Sequence, residues 1–116
     1  MTPDTNKKKH FYMLQPVKDF IRNQSGDIKQ ELNSIIWRLE TDGSLTMPYG
    51  EKVAGEDLFA IRVIQTGNIR VFYVYGIADY IFGIHAYTKK TRVIPDKEIT
   101  YARKVLRELI KEGIVK

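Results

Sequence analysis

The sequence predicts a single α+β domain: an antiparallel sheet packed with an N-terminal helix hairpin and a C-terminal helix. Three observations predict it. Apolar runs at Leu58–Ile64, Ile69–Tyr75 and Tyr80–Tyr87 are strand-sized and joined by the hairpin-length linkers "QTGN" and "GIAD". Upstream, Ile28, Leu32, Ile35, Ile36 and Leu39 recur at i, i+4, i+7, i+8 and i+11, the spacing of an amphipathic helix. Downstream, Asp96 to Glu112 repeats that pattern.

Taken in order, His10–Leu14 is a short apolar stretch that reads as a first strand. Pro16 suits the first turn of a helix, in which Val17, Phe20 and Ile21 share one face. Ser25 is a good N-cap for the second helix, and Gly43 stands where a left-handed C′ residue ends it. Ser44 to Asp57 contains Pro48, Gly50 and Gly55, lacks periodicity and reads as a long loop. Three hairpin-linked strands follow as a meander. The last helix buries Ile99, Ala102, Leu106, Leu109 and Ile110, and turns Lys97, Arg103, Lys104, Arg107 and Lys111 outward.

At 116 residues the chain fits one domain with a self-supporting core, and residues 1–9 read as a flexible basic N-terminus. There is no cysteine, which excludes disulfide scaffolds, thiolate metal sites and cysteine nucleophiles, and fits a reducing cytoplasm. Apolar runs are too short for a membrane span, and no secretory signal is expected behind "MTPDTNKKKHFYML". Residues 1–84 carry ten Lys/Arg and ten Asp/Glu, whereas residues 85–116 carry nine and four, so the whole net charge of +5 lies in the last segment. Such a basic segment is an electrostatic footprint for a polyanion, or else a solvated basic helix.

Arg62 and Arg70 each interrupt an apolar strand, in "LFAIRVI" and "NIRVFYVY". A guanidinium inside a sheet must face solvent or a ligand, because burying it unpaired is very costly. Spacing around "QTGN" places both near the open end of a hairpin and on one face. They either pair with Glu51, Glu56 or Asp57, or join Lys89, Lys90 and Arg92 at the end of the next strand, where a phosphate backbone could lie. His85, two residues from the end of its strand, is a candidate proton-transfer group. No metal-ligand spacing, Gly-rich phosphate loop or nucleophile elbow is present. One chemistry needs none of them: RNA cleavage, in which the substrate's own 2′-hydroxyl attacks the phosphate and the protein supplies position, protons and positive charge.

The segment "DLFAIRVIQTGNIRVFYVYGIADYIFGIHAYTKKTRVIPDKEITYAR" resembles the RelE/HigB toxin superfamily, in its phage-derived HigB-like branch. That branch shows a strand ending "LYELR", a strand "YRVFY", then "LLHGFxKKTxxTPxxEIxxA"; here Leu58–Arg62, Ile69–Tyr73 and His85–Ala102 stand in the same order. "FYMLQPVKDFI" and "GSLTMPYGEKV" resemble the family's first strand and helix and its loop. The resemblance implies a RelE-like, microbial-RNase-type fold and ribosome-dependent cleavage of mRNA without metal or cofactor. It also implies a small antitoxin partner, often carrying a helix-turn-helix. By the same resemblance Arg70, Arg62 and His85 are the catalytic residues and Lys89 and Lys90 bind RNA, with Arg92 beside them in the same basic stretch as a further RNA-binding residue. Three positions depart from the pattern: Ala86 for Gly, Tyr87 for Phe, and Ile94 where Thr would cap the last helix. The superfamily also holds gyrase poisons, and an inactivated toxin kept as a nucleic-acid or antitoxin binder is a further alternative.

Overall fold

Strands and helices arise where the periodicities place them. The computed structural model describes residues 7–53, 55 and 57–116. Its elements are β1 (His10–Met13), α1 (Gln15–Arg22), α2 (Gly26–Asp42), β2 (Gly50–Lys52), β3 (Phe59–Val63), β4 (Ile69–Tyr75), β5 (Tyr80–Thr88) and α3 (Asp96–Lys111). Pro16 lies in the first turn of α1. The Ser25 hydroxyl accepts the Ile28 N–H at 3.2 Å to cap α2, and Gly43 closes that helix at φ 84°.

The sheet has the order β1-β5-β4-β3-β2. It is mixed, not wholly antiparallel: β2 to β5 alternate in direction, but β1 runs parallel to β5. A parallel pair needs a crossover, which the intervening helix hairpin begins over one face. A second correction concerns the long loop, which contains strand β2 paired to β3 at the sheet edge. Its sequence Gly-Glu-Lys shows no apolar alternation, because so short an edge strand has little to bury.

Each face has its own core. Val17, Ile21, Leu32, Ile35 and Leu39 of α1 and α2 pack on Ile61, Val63, Val71, Tyr73 and Ile81. On the other face Ala102 and Leu109 of α3 pack with Ala60, Phe72, Val74 and Ile84. Ile110, expected in that stripe, is 45% exposed; half-buried Val105 joins the cluster instead, because it falls between Ala102 and Leu109 on the helix surface. Pro95 occupies the α3 N-cap without a side-chain bond, so Ile94 is not the capping position. Of the N-terminal run expected to be flexible, residues 1–6 lie outside the described part. Lys8 and Lys9 donate backbone hydrogen bonds to the Glu40 carbonyl at 2.9 and 3.1 Å, and Lys7 Nζ lies 3.1 Å from the Glu40 carboxylate.

Candidate functional site

Strand register assembles the site. Arg62 lies directly opposite Arg70 across β3 and β4, and Arg70 lies opposite Tyr87 across β4 and β5. Alternation puts this row on the α3 face, beyond the apolar cluster formed there by Ala60, Phe72 and Val74. The arginines flank the closed end of the hairpin, one register position from the Val63–Ile69 pair beside the "QTGN" turn, and not its open end.

His85 reaches the same face through an irregularity. Phe72 pairs with His85 but Tyr73 pairs with Gly83, so Ile84 is an extra residue in β5. A bulge resets the two-residue alternation. Phe82 and His85, three residues apart, therefore both face α3; in a regular strand His85 would point at α1 and α2. Its Nε2 lies 2.7 Å from Glu98 Oε1 in the first turn of α3. The ring stacks at 5.8 Å on Tyr87, and Tyr101 tilts over it at 4.6 Å. Tyr101 is 40% exposed and so forms the outer wall.

The arginines are held but not satisfied. Arg70 is only 3% exposed, and its Nη1 donates to Asn68 Oδ1 at 3.1 Å and to the Ile69 carbonyl at 3.2 Å. Arg62 Nη1 donates to the Pro48 carbonyl at 2.9 Å. Of the two described carboxylates that the sequence offered, Glu51 lies nearer, with Oε1 3.8 Å from Arg62 Nε and 3.9 Å from Arg70 Nε, beyond hydrogen-bond length. Asp57 forms no ion pair with either arginine among the described residues, and Glu56 lies outside them. Both Nε atoms and the Tyr87 hydroxyl are buried without a hydrogen-bond partner. Burial, then the Arg62 cation, push the Arg70 pKa below its usual value, against the opposing pull of Glu51 and Tyr87.

Asn68 joins this row to the basic linker. Its Nδ2 donates to the Lys89 carbonyl at 2.7 Å, and its own carbonyl accepts the Lys89 N–H at 2.8 Å. Lys90 and Arg92 follow on the exposed segment before α3. Among the described residues none of Lys89, Lys90 and Arg92 has a carboxylate within 4.0 Å. No group of three or more His, Asp or Glu among the described residues is arranged to hold a metal ion. No helix among them is long and apolar enough to cross a membrane.

Five site residues escaped the sequence reading or entered it only as alternatives: Glu51, Asn68, Tyr87, Glu98 and Tyr101. Glu98 and Tyr87 left a signal, one as the acid of the "EIxxA" pattern and the other as a departure from it. Glu51 entered as one of three candidate partners of the arginines, and Asn68 left no signal beyond a turn.

The geometry defines an α+β protein with a cross-strand arginine pair on one sheet face and a histidine–carboxylate pair at its side. Residues 19–107 match the family described as Phage derived protein Gp49-like (DUF891), and the chain belongs to that family. The family is associated with the toxins of toxin–antitoxin systems. No curated protein matches the chain.

Proposed function

We propose that this protein is the toxin of a toxin–antitoxin pair and cleaves mRNA on the ribosome without a metal ion. One observation carries the reading: two arginines in cross-strand register, with buried Nε–H groups unfilled, share a sheet face with a histidine anchored by a carboxylate. A phosphodiester is the ligand such a cradle takes, since planar guanidinium groups match phosphate oxygens and carry positive charge at any physiological pH.

Glu51, Ala60, Phe72 and His85 lie in one register row across four strands. Three strand spacings put the outer two roughly 14 Å apart at Cα, with the buried side chains of Ala60 and Phe72 between them. In this mechanism Glu51 takes the proton of the ribose 2′-hydroxyl as that oxygen bonds to phosphorus. His85 gives a proton to the departing 5′-oxygen as the P–O bond breaks, leaving a 2′,3′-cyclic phosphate and a 5′-hydroxyl. Arg62 and Arg70 neutralise the charge that builds on the phosphorane. His85 Nε2 is committed to Glu98, which fixes the ring and leaves Nδ1 for exchange with substrate. Lys89, Lys90 and Arg92 bind flanking phosphates. The site is short of bases, so the ribosomal decoding site completes it in the cytoplasm, and an antitoxin silences it by covering this face.

The test is induction in growing cells together with translation in a reconstituted system. Growth arrest with mRNA cut inside the reading frame, and only when ribosomes are present, is expected. Intact mRNA alongside arrested growth refutes the mechanism, and DNA-damage signalling before translation falls would point to gyrase.

A further inference from the structure

The proposed mechanism leaves the hydroxyl of Tyr87 unused, and the resembled pattern has phenylalanine at that position. The hydroxyl is therefore a polar atom that the fold does not need for packing. Tyr87 is only 7% exposed, and its ring is already fixed by stacking on His85 and by an edge contact with Phe72 at 5.6 Å. A buried hydroxyl without a partner costs free energy, so its retention calls for an acceptor.

The location says which acceptor. Arg62, Arg70 and Tyr87 occupy one register row on three adjacent strands, and the unfilled atoms of that row are Arg62 Nε, Arg70 Nε and the Tyr87 oxygen. The first two can only donate. Burial, opposed by the nearby Arg70 cation, pushes the tyrosine pKa up to about 12, so its hydroxyl keeps its proton and donates as well. Glu51 does not fill the role: Oε1 stands 3.8 and 3.9 Å from the two Nε atoms, and it leaves the hydroxyl without a partner.

We infer that Tyr87 is the third ligand of an oxyanion site, and that its O–H, with the Nε–H groups of Arg62 and Arg70, binds the non-bridging oxygens of a tetrahedral phosphate. The inference rests on the proposed function for its substrate, a phosphodiester, but the site itself is testable without any cleavage. Tyr87→Phe removes one oxygen and nothing else.

Binding of inorganic phosphate is followed by NMR titration of the purified protein at constant ionic strength, for wild type and Y87F, with thermal melts in phosphate-free buffer. Wild type should bind saturably, with the Tyr87 ring signals among those that move. Y87F should bind about tenfold or more weakly, the loss of one hydrogen bond to a charged acceptor. Its melting temperature should be equal or higher, because an unpaired buried hydroxyl has gone. Absence of saturable binding by wild type, static Tyr87 signals, or equal affinity in Y87F would overturn the inference. So would a lower melting temperature in Y87F, since the hydroxyl would then be part of the fold. Weakened phosphate binding in Y87F together with uncut mRNA would uphold the oxyanion site and sink the ribonuclease reading alone.

Discussion

Replacing Arg70 with methionine should leave this protein close to its original stability while removing most of its activity. The guanidinium is 3% exposed, stands opposite another arginine, and has its nearest carboxylate at 3.9 Å. With the two cationic groups roughly 5–6 Å apart, an effective dielectric of about 20 gives a repulsion of about 3 kcal/mol. Glu51 attracts Arg70 by a comparable amount but is shared with Arg62. The lowered Arg70 pKa agrees in sign: the fold disfavours this charge. Exchanging a whole buried ion pair for apolar side chains is often neutral or stabilising by about 1–4 kcal/mol, and removal of Arg70 alone comes close to that case because Glu51 keeps Arg62 as its partner. Against that stand the hydrogen bonds to Asn68 and the Ile69 carbonyl, worth about 1 kcal/mol each. The balance is about −2 to +2 kcal/mol, centred near zero, a change in melting temperature of at most roughly 10 °C either way for a domain of this size. Cleavage should meanwhile fall by about 10²–10³-fold, as when a group that stabilises transition-state charge is lost. Differential scanning calorimetry and the reconstituted translation assay read the two effects separately. A melting temperature lowered by several degrees with cleavage intact would show that Arg70 is structural and remove the centre of the site.

Three further outcomes are expected. His85→Ala should lose about 10²–10⁴-fold in cleavage rate and also melt earlier, because the ring packs on Tyr87 and Tyr101 and bonds Glu98. Glu98→Gln should lose less activity because the ring remains; equal activity of both with wild type would reject proton transfer at His85. Replacing Lys89 and Lys90 together should reduce the slope of log affinity for single-stranded RNA against log salt by about 1.4, and an unchanged slope would put the RNA elsewhere. Burial raises the Glu31 pKa, but hydrogen bonds from the Thr66 hydroxyl and the backbone of Gln65, Thr66 and Ile64 outweigh it, so the folded value lies below the ordinary 4.5. That stabilisation is present above the unfolded pKa and is lost as pH falls through the folded one. Glu31→Gln should therefore cost about 1 kcal/mol at pH 7, and the gap to wild type should close as pH falls through the folded value; a gap independent of pH would refute the assignment.

Much of the fold was legible because the decisive signals were local. The spacing from Ile28 to Leu39, the Ser25 cap, Gly43 and the two hairpin linkers each act within a few residues. What stayed hidden depends on partners distant in sequence. The parallel pairing of β1 is a choice of neighbour made by β5, and β2 exists because β3 offers it an edge. In the site, the arginine pair could be read because residues equidistant from a tight turn must face one another. His85 was found as a residue type, but its route onto the α3 face runs through the Ile84 bulge, which only the register with β4 reveals. Glu98 could not be matched to His85 without knowing where α3 docks.

That dependence on distant partners also explains how so small a domain holds two like charges side by side. The two Glu31 oxygens on α2 accept the N–H groups of Ile64, Gln65 and Thr66 and the Thr66 hydroxyl, at 2.8–3.2 Å. They clamp the turn from the face opposite the site. Asn68 in that turn then accepts from Arg70 and bonds both ways with the backbone of Lys89. A hydrogen-bonded chain thus runs from the helix hairpin through the turn to the buried arginine and the basic linker. Repulsion between Arg62 and Arg70 would spread a free hairpin; here the turn is fixed from behind, and the strands beyond it are held by apolar packing on both faces. The electrostatic cost is carried by the clamped turn and the two apolar cores, which keep the Arg62 and Arg70 Nε–H groups and the Tyr87 hydroxyl on one face without hydrogen-bond partners.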